Sequence, residues 1–183
     1  MSEYYYLVAS LAALRFDAPP PMSRQELLSR CGEQMSASDF QAVAAAALDG
    51  LSGARCASPA LRKWNRRETS LRNALVRLRA QKLGRDPHPY LQDIDEELGP
   101  EEAAREAVSA SDPLEAERLL DRVRWSCLDE LEVGHFFDTE RLVVYALKLL
   151  ILERIAAMSR ERGQEEFERV SKVVRAKIGE ANG

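Results

Sequence analysis

Residues that carry chemistry are scarce in this sequence. It has two histidines and three cysteines. None stands in a C-x-x-C pair or a Cys/His cluster, which argues against a zinc site and a disulfide framework. Cys31, Cys56 and Cys127 are odd in number and far apart, as expected of free thiols in a reducing compartment. The phosphate-cradling G-x-x-x-x-G-K-[ST] loop, the G-x-G-x-x-G turn and the H-E-x-x-H metal helix do not occur. Nor does the G-x-S-x-G nucleophile elbow. His88 lies in a proline turn and His135 just ahead of a helix start, places more often structural than catalytic. No nucleophile is paired with a base, so no enzyme, cofactor or metal site is expected.

A membrane-length apolar run is missing too. The longest candidate, Leu142–Leu152, contains Lys148 and falls well short of the ~20 apolar residues that span a bilayer. The opening M-S-E-Y-Y-Y-L-V-A-S lacks the basic start of a secretory signal, with Glu3 where a lysine would be expected. The expectation is a soluble, cytoplasmic protein without a membrane span. Lysine plus arginine number 26 against 30 acidic residues, a net charge of −4 that argues against nucleic acid as the default partner.

What the sequence does have is helical pattern. Hydrophobic residues make up 45% of the 183 and charged residues 31%, enough for a real core in an all-α domain. A single elongated multi-helix domain over residues 1–183 is expected, and the loop near 50–58, with Gly50 and Gly53, is where it could subdivide. Its centre is the C-terminal helix opened by Asp138. From Leu142 to Leu152 only Lys148 is charged, and a helix apolar nearly all round is buried on several sides. Lys148 must therefore either snorkel to the surface or pair with a carboxylate, from the Asp112 helix or Glu68.

Helix starts are marked along the chain. Ser23-Arg24-Gln25-Glu26 is a capping box, and Ser36-Ala37-Ser38-Asp39 resembles one. They open short helices near 24–32 and 37–48. Ser58-Pro59 opens a long helix stopped by Gly84, and Asp112-Pro113 opens another that stops at Gly134. Gly99-Pro100 breaks the acidic stretch between them. The aromatic and β-branched start of Tyr4–Phe16 would suit a strand, but its length and its Leu7, Leu11, Leu14 spacing favour a buried helix. Its three tyrosines suit core packing or, alternatively, an exposed aromatic docking edge.

On the Ser58 helix, Leu61, Trp64, Leu71, Leu75 and Leu78 form a seam with polar gaps at Glu68 and Lys82. On the Asp112 helix, Ala116, Leu119, Leu120, Val123, Cys127 and Leu131 form the main apolar stripe, with Leu114, Trp125 and Leu128 on the far side. Trp125 is read as core. The outer face of the Ser58 helix is basic, and Arg62, Lys63, Arg66 and Arg67 at its start are the candidate partner-binding patch. The competing reading is that the acidic segment Asp93–Glu106 neutralises them internally.

Four segments together carry a resemblance: Y-Y-Y-L-V-A-S-L (Tyr4–Leu11), L-R-N-A-L-V-R-L-R-A-Q-K-L-G-R-D (Leu71–Asp86), D-P-L-E-A-E-R-L-L-D-R-V-R-W (Asp112–Trp125) and H-F-F-D-T-E-R-L-V-V-Y-A-L-K-L-L-I-L-E-R (His135–Arg154). The chain resembles an uncharacterised bacterial family encoded in operons for V/A-type ATP synthases. The first segment is similar to the tyrosine-rich N-terminal helix of the C-type socket subunit of those enzymes, the counterpart of the d-type subunit of V-ATPases. That socket is all-helical and sits between rotor ring and central shaft. The resemblance implies a reduced, socket-like adaptor with ring and shaft as partners, held at the inner face of the plasma membrane through the complex. The chain is far shorter than the socket's three helical repeats, and the family implies no catalytic or metal residues. The alternative is a freestanding helical interaction or regulatory protein that uses the basic helix.

Overall fold

The computed structural model describes residues 4–48, 58–94 and 100–159, and among them every regular element is helical. Helix α1 is Tyr5–Ala9, α2 is Arg24–Gln34, α3 is Ala37–Leu48 and α4 is Pro59–Leu83. A single 3-10 turn follows at His88–Tyr90. Helix α5 is Pro100–Ser109, α6 is Pro113–Glu132, and α7 covers 139–159. The expected all-α class is what the chain forms. The loop near 50–58, Cys56 and the amphipathic stretch after Arg160 lie wholly or mostly outside the described residues.

Local signals set the helix ends. The Ser23 hydroxyl accepts the Glu26 amide at 3.1 Å and opens α2. Ser36 accepts the Asp39 amide at 3.3 Å. The Asp39 carboxylate takes the Ser36 and Tyr4 hydroxyls, and the Tyr4 oxygen accepts the Ser36 amide. A tyrosine 32 residues away thus completes the cap. Ser58 caps α4 with Pro59 at its first position, and Gly84 ends it at φ +61°. That left-handed geometry is cheap only for glycine. Asp112 caps α6, Gly134 follows it at φ +86°, and Asp138 caps α7 through the Arg141 amide.

Tyr4–Phe16 is not one helix. Helix α1 ends at Ala9, where the Ser10 hydroxyl turns back onto the Leu7 carbonyl at 2.7 Å. From Leu11 to Arg15 the chain has no regular structure. The Tyr145 hydroxyl donates to the Ala12 carbonyl at 3.0 Å and holds this stretch down. Leu7, Leu11 and Leu14 do reach the core. Their spacing reported burial, which irregular chain satisfies as well as helix once its backbone groups find partners.

Among the described residues there are two apolar clusters. The larger gathers α1, α2 and α3, the first turns of α4, the end of α6, and α7. The smaller holds Leu71, Ala74 and Leu75 of α4, Ala104 and Ala107 of α5, and Leu120 of α6. Helices α4 and α6 run through both. Helix α7 is central to the larger one, with every residue from 142 to 149 buried. Arg24 clamps the N-terminal helices to its far end. Its amide and Nε reach the two Glu153 carboxylate oxygens at 2.7 and 2.5 Å. Buried Asn73 exchanges two hydrogen bonds with the Gln92 backbone and pins the chain that leaves the 3-10 turn.

Two sides of α7 differ in depth. Leu147 is fully buried, whereas Leu150 is half-buried. Leu147→Ala is expected to cost about 3 kcal/mol in urea unfolding and Leu150→Ala clearly less. Equal losses would mean that both sides face the same depth of core.

Candidate partner-binding surface

The basic start of α4 is held rigidly. Glu140, in the first turn of α7, accepts the Ser58 hydroxyl at 2.7 Å and the Ala60 amide at 2.9 Å. Its negative charge sits at the positive end of α4. From that anchor Arg62, Lys63 and Arg66 project as exposed side chains. Arg67 does not join them. It turns to α6, where its Nη1 meets Glu130 at 2.7 Å and donates to the Cys127 sulfur at 3.1 Å. One carboxylate that engages Arg67 comes from α6. Asp93–Glu106, the acidic segment, is described only in part, and its α5 portion packs on the distal half of α4.

At the very next residue, Glu68, begins a buried charged layer. Arg124 grips Glu68 as a fork, Nε to Oε2 at 2.8 Å and Nη2 to Oε1 at 2.9 Å. Its third nitrogen, Nη1, reaches Asp121 at 3.0 Å. Arg72 approaches Glu68 at 3.2 Å, and Arg154 of α7 pairs with Asp121. Glu68 is 6% exposed, Arg124 8% and Asp121 0%. The polar gap expected at Glu68 is thus a buried ion pair, while Lys82 is exposed.

The apolar stripe expected on α6 is displaced. Val123 points outward, and the deep positions are Leu120, Asp121, Arg124, Leu128 and Leu131. Two charged residues occupy core positions because each finds a partner of opposite sign. The sequence holds one signal for this: Arg124 sits one turn from both Leu120 and Leu128. Trp125 is half-buried against Phe16, edge to face at 5.6 Å. Beside the charged layer is a cavity of about 320 Å³ lined by Trp64, Arg67, Glu68, Arg124, Cys127 and Glu130. Its charges are already matched with one another.

Lys148 pairs with α6 carboxylates. Its Nζ lies 2.6 Å from both Asp129 and Glu132, over the Trp125 ring. Glu132 also pairs with Arg141. Burial pushes the Lys148 pKa down, partly offset by Asp129. Cys31 is buried, and its thiol is pushed up to about 11. That thiol is protonated and inert at neutral pH. His135 bonds Asp138 at 2.6 Å beside the α7 cap, a structural position. Among the described residues no group of His, Cys, Asp and Glu could hold a metal, and no helix is long and apolar enough to cross a membrane.

The tyrosines divide. Tyr4 is partly buried and bonded to Asp39, whereas Tyr5 and Tyr6 are exposed. Residues 105–178, less than half of the chain, match a family described as a protein of unknown function (DUF2764). No curated protein and no solved structure matches the chain.

Removing Arg124 strips the fork from Glu68 and leaves two buried carboxylates with only Arg72 and Arg154 to offset them. Arg124→Met is expected to cost about 3 kcal/mol, and the double variant Glu68→Leu/Arg124→Leu to recover most of that. A double variant as unstable as the single one would show that charge burial is not the cause. Lys148 gives a pH dependence. Between its depressed folded pKa and the ordinary ~10.4, the unfolded chain holds more protons, so stability contributed at this site rises with pH. Chemical unfolding of wild type and Lys148→Met across that alkaline range is expected to move the difference in favour of wild type. A constant difference would rule the titration out.

Proposed function

We propose that this chain is a non-catalytic helical adaptor of a bacterial V/A-type ATP synthase, a reduced socket-like piece between rotor ring and shaft. The observation that carries the reading is the start of α4. Arg62, Lys63 and Arg66 are exposed on a helix of 25 residues whose N-terminus is bonded to α7. A rigid, cationic helix face suits docking to an acidic protein surface and steers the encounter. The resemblance of four segments to a family encoded beside ATP synthase genes supplies the partner. The complex would hold the chain at the inner face of the membrane. The other reading, a freestanding interaction protein, uses the same helix.

Lys63→Glu/Arg66→Glu tests the patch without touching the Arg67–Glu130 pair. Exposed reversals of this kind are expected to shift stability by less than about 0.5 kcal/mol. Recovery of ATP synthase components with the tagged chain from native membranes is expected to fall in the variant. It should also fall in the wild type as salt rises. Wild-type chain that brings down no ATP synthase component would remove the adaptor reading, and other captured proteins would favour the freestanding one.

A further inference from the structure

One side of α7 forms a continuous stripe. Tyr145, Lys148, Leu152, Ile155 and Ser159 follow one another at steps of three and four residues. Over the first half of this stripe, residues 8 and 11–14 line a shared cavity with α6 and α7. Phe16 continues that cover, edge to face on Trp125 of α6. The prolines at 19–21 then take the chain off towards α2. Beyond Phe16 a groove of about 340 Å³ stays open among the described residues.

The groove has two kinds of surface. Phe16, Leu152, Ile155 and Ala156 are apolar, and Arg118 and Arg122, one turn apart on α6, stand beside them. Arg118 has no partner among the described residues. Arg122 lies over the Phe16 ring, with Asp17 at 3.8 Å and both members of that pair exposed. Among the described residues Asp17 is the only acid in the lining. Glu117 leans to Arg124, and Glu115, a turn before Arg118, lies outside the groove.

An apolar side chain flanked by carboxylates fits such a groove, and the chain itself supplies one. Ser159 lines the groove, and the sequence runs on as R-E-R-G-Q-E-E-F-E-R-V from Arg160 to Val170. Phe167 stands among Glu165, Glu166 and Glu168, and Val170 follows at helical spacing. Gly163 is midway between Ser159 and Phe167. Glycine takes most cheaply the left-handed geometry in which a helix ends and the chain turns back. A reversal there would return Phe167 to the level of Ser159. Residues 105–178, matched as one unit, take in α6, α7 and this segment together. The tether also gives the segment an effective concentration on the order of millimolar at the groove.

We propose that the groove between α6 and α7 is the docking site of this chain's own residues 164–170, with Phe167 and Val170 on its apolar floor and the flanking glutamates against Arg118 and Arg122. Burial of the two apolar side chains supplies most of the attraction, and the charges set the direction of approach. A partner with the same apolar and acidic pattern would have to displace this segment first.

The test uses the full chain, labelled at isoleucine methyl groups and phenylalanine rings. A nuclear Overhauser cross-peak between the Ile155 methyl and the Phe167 ring is expected, assigned by its loss in Phe167→Leu. In a mixture of methyl-labelled and ring-labelled chains the cross-peak should vanish, because the contact lies within one chain. Phe167→Ser/Val170→Ser should lower the melting temperature by about 5 °C. Lys172→Ser/Lys177→Ser, which leaves both anchors in place, should not. The proposal is overturned if the Ile155 and Phe167 signals show no cross-peak, which would leave the groove open to a partner. A cross-peak that persists in the mixture overturns it too and makes the groove a contact between copies. So does a Phe167→Ser/Val170→Ser chain that melts as wild type does.

Discussion

The fork between Arg124 and Glu68 fixes much of this structure. It joins α4 to α6 at the boundary between the two apolar clusters, with Leu61, Trp64 and Leu128 on one side and Leu71, Leu75 and Leu120 on the other. Apolar seams tolerate sliding by a turn, because one leucine fits another's place. A bidentate guanidinium–carboxylate pair in a dry layer does not, since a slip would leave both charges buried and alone. The layer contributes little net stability for its desolvation cost. What it supplies is a single register between two long helices, and Arg154 extends that register to α7 through Asp121.

That register decides the surface. With Glu68 opposite Arg124, Arg67 falls opposite Glu130 and is drawn into the helix pair. The next basic side chains back along α4 remain on the outside. A four-residue basic cluster in sequence thus becomes three exposed groups and one turned inward. Glu140 also ties the start of α4 to the first turn of α7, which fixes where those side chains emerge.

Much of the helical plan was legible in the sequence, because helix ends are local events. A hydroxyl or carboxylate cap, a proline at the first position and a glycine in left-handed geometry are each written within four residues. The buried α7 was legible from its lack of charge. The N-terminal run was misread, since apolar spacing reports burial and Ser10 broke the helix without a proline to announce it. Asp121 and Arg124 were missed because a charged residue on a helix defaults to the surface. Only a carboxylate 56 residues away on α4 makes Arg124 a core residue, and no local pattern encodes that meeting. The candidate surface was half legible: charge clustering marked Arg62, Lys63 and Arg66, but nothing nearby said that Arg67 would turn inward.

The Arg24–Glu153 clamp has a consequence for the order in which the chain can assemble. The smaller cluster is built from α4, α5 and α6, consecutive in sequence, and closes shorter loops than the larger one. The larger cannot close until α7 exists, because α2 and α3 cover a helix whose anchoring carboxylate lies 129 residues downstream of Arg24. Closing a loop of that length carries the larger entropic cost. During synthesis the N-terminal helices therefore leave the ribosome well before their packing partner. Helices α4, α5 and α6 are expected to come together first, and α7 then brings both Glu153 to Arg24 and Arg154 to Asp121.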